Sequence, residues 1–318
     1  MKIFLIKSLF FVGLVYTSTF IYIEYFAMSF SYMDYPIYKA QIDFINSGSG
    51  AGDPEVLILG DSRSLSGIVP DKISENGRSM GLTGGTSVTV YYALKHYLEK
   101  FQAPRVIVLS ISPLLFEKYP EFYSRSIKYR LLSAADALEV IKRAQELNDF
   151  PFDVTPANGN YYWEWFLYKA NYLLYYKEEI LAGGFYKMWR SNHNLYAKLK
   201  NEAGFWRLSV GDPSHGLNLE TRRSTFVGSP LLRDYFEKII NLCGEKNIRV
   251  IFQAMPMNEA SFKALKPAYV TGYHDFMNGI RQKYRDRSVQ MNFELFAYPD
   301  EYFGDPSHLN SKGAELIS

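Results

Sequence analysis

Three short apolar runs constrain this chain more than any other feature of its sequence. Residues 55–60 (EVLILG), 105–111 (RVIVLSI) and 248–254 (IRVIFQA) are too short for ordinary helices and lack the strict alternation of a strand with one wet face. Runs of that kind suit strands buried on both sides, as in a parallel sheet. In residues 86–101 and 231–246, apolar side chains recur at three- and four-residue spacing, the period of a helix that covers a sheet. Strands alternating with helices predict an α/β fold, a parallel sheet sandwiched by helices, with functional residues on loops at the carboxyl ends of the strands.

The alternation stops between Pro113 and Phe226. The sequence there is mostly helical in pattern and rich in aromatics, as in 161–176 (YYWEWFLYKANYLLYY), and it exceeds any ordinary crossover. Residues 114–227 are therefore expected to form a large, mainly helical inserted subdomain. Most of its aromatics are expected to pack the insertion onto the sheet. A minority can line an acyl or glycan groove, because Tyr and Trp combine an apolar face with a polar tip.

At the N-terminus, Lys2 and Lys7 precede an apolar run from Ser8 to Ile23, and Tyr22 and Tyr25 fall where an interfacial aromatic belt belongs. The run has no polar face, unlike a helix lying on a globular core. Bulky residues from Thr17 to Phe26 offer no small-residue cleavage site. Residues 1–28 are expected to be an uncleaved membrane helix. The lysines before it, with Glu24 and Asp34 after it, direct the N-terminus to the cytoplasm and the remainder across the membrane. The tract 47–52 (SGSGAG) has the composition of a flexible linker. Residues 29–52 thus read as stalk and linker, and 53–318 as the globular domain.

Charge excludes some functions. The 35 basic and 33 acidic residues are dispersed and leave a formal charge of +2 with no polybasic tract, so nucleic acid is not an expected partner. Cys243 is the single cysteine and cannot form an intramolecular disulfide. His96, His193, His215, His274 and His308 are scattered, without HExxH or paired Cys/His spacing, so no metal site is expected. There is no P-loop and no G-x-G-x-x-G after a strand, which disfavours a phosphate-handling enzyme.

Three motifs carry chemistry. Gly60-Asp61-Ser62-Arg63 directly follows the first apolar run, so Ser62 is expected on the turn above the sheet, its hydroxyl exposed and its backbone N–H available to an oxyanion. Residues 81–86 (GLTGGT) lead into a helix capped by Thr86 or Ser87, and Gly84 is the expected second oxyanion donor. Asp305-Pro306-Ser307-His308-Leu309-Asn310 places a carboxylate three residues before a histidine. Asp305 can then bond Nδ1–H while Nε2 takes the proton of Ser62. No G-x-S-x-G elbow occurs, so an ordinary α/β-hydrolase is disfavoured.

GDS after the first strand, a glycine loop after the second, and D-x-x-H-L-N before the final helix together resemble the SGNH, or GDSL, hydrolase superfamily, over about residues 53–111 and 248–318. The resemblance implies a flavodoxin-like sheet, Ser62 as nucleophile, His308 as base and Asp305 as its orienting partner, with no cofactor. It also implies an oxyanion hole made by Ser62, Gly84 and a third-block asparagine. Here the sequence departs: residues 110–113 read Ser-Ile-Ser-Pro, so Ser112 is the candidate in place of that asparagine. The anchor and the insertion resemble the membrane-anchored envelope acyltransferase branch, such as D-alanine transfer and alginate acetylation proteins.

Two further residues invite a role. Arg63 can bind a substrate carboxylate or phosphate through its planar fork, or pair with an acidic neighbour. Asp212-Pro213-Ser214-His215 repeats the tetrapeptide DPSH inside the insertion, but its position before the last strands makes Asp305 and His308 the expected pair, with substrate contact open to His215. The expected function is esterase or O-acyltransferase chemistry on an acylated or hydroxyl-bearing envelope polymer, with a membrane acyltransferase as partner. The competing expectation is a binding protein on the same scaffold that holds a polymer or partner without catalysis.

Overall fold

A computed structural model describes residues 2–50, 53–152, 172–184, 186–209, 213–285 and 287–318. Residues 161–171 of the aromatic run and Asp212 of the second DPSH lie outside the described residues. The strands are β1 (Val56–Gly60), β2 (Gly77–Ser79), β3 (Val106–Ser110), β4 (Arg249–Gln253), β5 (Met257–Asn258), β6 (Val289–Asn292) and β7 (Ala297–Tyr298). Five of them form a parallel sheet in the order β2-β1-β3-β4-β6, and β5 pairs with β7 apart from it. Chain order reverses at β1, so the crevice between the carboxyl ends of β1 and β3 is the switch point where doubly wound sheets bind ligands. Val56 pairs with Val106 and Gly60 with Ser110, so both strands end level and release their loops side by side.

Alternation of side chains along each strand builds two cores. Leu57, Leu59, Ile107, Leu109, Val250 and Phe252 enter the principal core, whereas Ile58 and Val108 join Met255, Phe303 and Leu309 on the opposite face. Both faces are therefore covered, which is why the strands read as continuous apolar runs. Helix α5 (Ser87–Leu98), preceded by α3 (Ser62–Gly67) and α4 (Pro70–Ile73), packs beside the helix Pro230–Glu245 on the principal side. In the insertion, α6 (Ala134–Leu147) is tied to the helix Pro230–Glu245 by Arg143, whose Nε and Nη2 donate to Asp234 at 3.2 and 2.7 Å.

The region expected as a stalk is instead part of the globular fold. Residues Asp34–Ser47 form helix α2, and its Ile37, Tyr38, Ala40 and Ile45 belong to the principal core. Its inward positions 37, 41 and 45 fall four apart, and Gln41 between them is also buried, its Nε2 donating to the Gly204 carbonyl at 3.5 Å. The globular fold thus begins by Asp34, not Asp53.

Before it lies α1 (Lys2–Phe30), 29 residues long. Its backbone kinks at Phe26 (φ −120°, ψ 18°), and the stretch before the kink, Lys2 to Tyr25, is about 36 Å long at 1.5 Å per residue, enough for the roughly 30 Å of a bilayer's hydrocarbon. Its large apolar side chains from Ile3 to Ile21 are exposed, and the helix is long and apolar enough to cross a membrane. Its C-terminal end is docked: Ile23, Ala27 and Phe30 are buried with Tyr176. The helix Trp189–Asn201 closes that end, because Asn192 donates to the carbonyls of Met28 at 3.0 Å and Ser31 at 2.8 Å.

Candidate active site

Ser62 occupies the first position of α3, immediately after β1. Two features of the sequence turn the chain there. Gly60 adopts φ +145°, and a Cβ on it would stand 1.7 Å from the Ser110 carbonyl oxygen, so only glycine lets β1 end so close to β3. Asp61 then caps α3: its buried Oδ1 accepts from the N–H of Arg63 at 2.9 Å and of Ser64 at 3.4 Å. Its Oδ2 accepts from the Ser112 N–H at 2.9 Å and so fastens the β1 loop to the β3 loop.

Asp305 and His308 come from the opposite end of the chain. Phe303 and Leu309 bridge in antiparallel fashion and bury in the smaller core, while Asn310 accepts from Lys312 and Gly313 N–H and starts the last helix, Ser311–Ile317. The loop between is thereby closed at both ends. His308 Nε2 lies 2.8 Å from Ser62 Oγ, and its Nδ1 lies 2.9 Å from Asp305 Oδ2 and 3.0 Å from Oδ1. Asp305 Oδ1 also accepts from the N–H groups of Ser307 and His308, at 2.8 and 2.9 Å. Burial acts to raise the Asp305 pKa, but the hydrogen bond and charge of the His308 ring, with those two N–H groups, outweigh it and hold the carboxyl below its ordinary value. An ionised Asp305 fixes the imidazole with Nδ1–H toward itself and leaves Nε2 as acceptor for the serine proton.

Ser62 and His308 open into a cavity of about 480 Å³ that Arg63, Gly84 and Ser112 also line. Among the described residues the N–H of Ser62 and the N–H of Gly84 have no hydrogen-bond partner, while those of Leu82 and Gly85 bond the carbonyls of Gly60 and Leu82, both at 3.0 Å. The Ser112 N–H is committed to Asp61, so Ser112 can offer only its hydroxyl. Such an arrangement can activate a serine and accept negative charge on an oxygen at two backbone N–H groups.

Arg63 lines the cavity, yet its fork is engaged inside the protein. Its Nη2 donates to Glu220 Oε1 at 2.5 Å, and both side chains are nearly inaccessible. An acidic neighbour is thus what Arg63 Nη2 meets. Nothing in the sequence marks Glu220, which lies in the 3₁₀ turn Leu219–Arg222 of the insertion, 157 residues away. The expected aromatic groove also differs: among the described residues the apolar part of the cavity wall is aliphatic, with Leu114, Leu115, Leu208 and Leu219, and the charged Asp34, Lys118, Glu121 and Arg125 line it too. Phe116, Tyr119, Phe122, Tyr123 and Phe152 of the insertion stack into the principal core instead. His215 bonds Asp300 Oδ2 at 2.7 Å and takes no part in the Ser62 chain, although Ser214 and Gly216 rest on the loop at Phe303 and Pro306.

No protein-family model matches the chain, and no curated protein matches it.

Proposed function

We propose that this chain is a serine-nucleophile acyl-transfer enzyme of the SGNH kind, held at the membrane by α1 with its catalytic domain on the extracytoplasmic side. The observation that carries the reading is the unbroken chain from Ser62 Oγ through His308 to an ionised Asp305, set at the switch point of a parallel sheet. The two unpartnered N–H groups beside it support the same chemistry.

In the first step Ser62 Oγ attacks an ester carbonyl carbon and gives its proton to His308 Nε2, while the N–H groups of Ser62 and Gly84 hold the oxyanion. Collapse breaks the bond to the leaving alcohol, which takes the proton from His308 and leaves an acyl ester on Ser62. An acceptor hydroxyl then gives its proton to His308 and attacks the acyl carbon, and Ser62 Oγ leaves with the proton from His308, which restores the starting state. With water the product is an acid; with a glycan hydroxyl it is a new ester. The leucine-rich wall suits the apolar part of an acyl group, and the anchor favours an envelope polymer and a membrane-bound acyl donor over a small soluble ester.

The binding-protein reading draws on one observation, the replacement of the resembled family's asparagine by Ser112 with its N–H already committed. Incubating the full-length protein with p-nitrophenyl acetate, quenching in acid and mapping the peptides separates the two. Acetyl on the Ser62 peptide supports acyl transfer. A folded protein that never acquires it, and that binds polymer equally well as Ser62→Ala, supports binding alone.

A further inference from the structure

The loop that carries Gly84 is held from α2, the helix that directly follows the long apolar one. Tyr38 on α2 is fully buried and donates its hydroxyl to the Thr83 carbonyl at 3.0 Å. That carbonyl and the Gly84 N–H belong to one planar trans peptide, in which C=O and N–H point in opposite directions. Fixing the oxygen on Tyr38 therefore fixes the direction of the Gly84 N–H, on the side away from Tyr38. A second support lies against Gly84 itself. Asp34, the first residue of α2, pairs with Arg125 at 3.2 Å, and Arg125 pairs with Glu121 at 3.5 Å. A Cβ on Gly84 would stand 2.7 Å from both Arg125 Nη1 and Glu121 Cδ, so these side chains fill the open face of the glycine.

We infer that Tyr38 and the Asp34–Arg125 pair are positioning residues of the oxyanion hole, acting through the Thr83–Gly84 peptide. The base of the loop is fixed by its own bonds to Gly60 and Leu82; only the Thr83–Gly84 corner depends on α2. Two residues of the first half of α2, Asp34 and Tyr38, thus act on the Thr83–Gly84 peptide. This inference rests on the acyl-transfer reading above.

The test measures phosphonylation of the full-length protein in detergent by a fluorophosphonate, resolved into the saturating rate kinact and the half-saturation constant KI. In this step Ser62 Oγ bonds to phosphorus, the P–F bond breaks, fluoride leaves and His308 takes the serine proton, so the phosphoryl oxygen needs the same N–H groups. Tyr38→Phe keeps the ring and removes one hydroxyl bond; kinact is expected to fall about tenfold with KI unchanged, a difference of about 1.4 kcal/mol. Arg125→Met should do the same, and Arg125→Lys should recover part of the loss. Asp43→Ala, which removes the acceptor that Lys39 of the same helix and Tyr196 of the helix Trp189–Asn201 donate to, is the control and should leave kinact unchanged. A purely structural role would shift the melting midpoint and leave kinact alone. Labelled wild type with unchanged kinact in Tyr38→Phe and Arg125→Met overturns this inference only; unlabelled, folded wild type overturns the acyl-transfer reading and this inference with it.

Discussion

Replacing Glu220 by glutamine tests whether Arg63 is a structural cation or a substrate ligand. Both side chains of the pair are withdrawn from solvent, at 9% and 2% exposure, and the N–O distance is 2.5 Å. Glu220→Gln keeps the shape and one acceptor but leaves the Arg63 charge buried without its counter-charge. Removing one member of a buried ion pair costs about 3–5 kcal/mol, and the retained amide oxygen puts this variant at the lower end, about 3 kcal/mol. At about 2.1 cal/mol/K of unfolding entropy per residue, a domain from Asp34 to Ser318 moves its Tm by about 1.7 °C per kcal/mol, so the melting midpoint should fall by roughly 5 °C. The double variant Arg63→Met/Glu220→Leu removes both charges and should be close to neutral. The assay is thermal unfolding of the full-length protein in detergent, followed by circular dichroism, for wild type, each single variant and the double. A loss under about 1 kcal/mol in Glu220→Gln, with no coupling in the double-variant cycle, would refute the reasoning. It would mean that the guanidinium is compensated elsewhere and is open to a substrate anion.

Three other outcomes are expected. Ser112→Ala should lower kinact toward a fluorophosphonate about tenfold, less than the 10²–10³ of a dedicated donor, because only its hydroxyl is free to reach an oxyanion; an unchanged rate removes Ser112 from the hole. A protein starting at residue 53 loses α2, and with Ile37, Tyr38 and Ile45 each worth about 1.5–3 kcal/mol of burial it forfeits most of a typical domain's stability. It should show no cooperative melt, whereas a protein starting at residue 22 should; a cooperative melt of the shorter one contradicts the placement of α2. Asp305→Asn should reduce acylation about 10⁴-fold. Because the folded-state pKa of Asp305 is lowered, its contribution to stability is present above the ordinary carboxylate range and lost as pH falls through the lowered value. Urea unfolding from pH 7 down to pH 2 should show that loss in wild type and a shallower slope in Asp305→Asn.

What could be read from the sequence was what is local. β1, β3 and β4 lie within the runs 55–60, 105–111 and 248–254 because a strand buried on both faces is apolar throughout. The helices Ser87–Leu98 and Pro230–Glu245 match their periodic segments to within a few residues. The Ser62, Asp305 and His308 arrangement was legible because each member sits in a short motif next to a predictable element. Edge strands were not: Gly77-Arg78-Ser79 and Val289–Asn292 carry too few apolar residues to announce themselves, since an edge strand borrows its order from its neighbour. α2 was hidden because a buried Gln41 interrupts its inward stripe and a Gly-Ser tract follows it. Glu220, Arg125 and Tyr38 meet the site only through tertiary contacts across large sequence separations, which a single sequence does not encode in any local pattern.

Reaction of the full-length wild-type protein with a fluorophosphonate, followed by intact-mass and peptide analysis alongside Ser62→Ala and His308→Ala, puts the acyl-transfer reading at most risk. The geometry predicts one adduct per chain, located on Ser62, abolished in Ser62→Ala and at least strongly slowed in His308→Ala. A folded wild type that acquires no adduct, or an adduct that persists in Ser62→Ala, would contradict it.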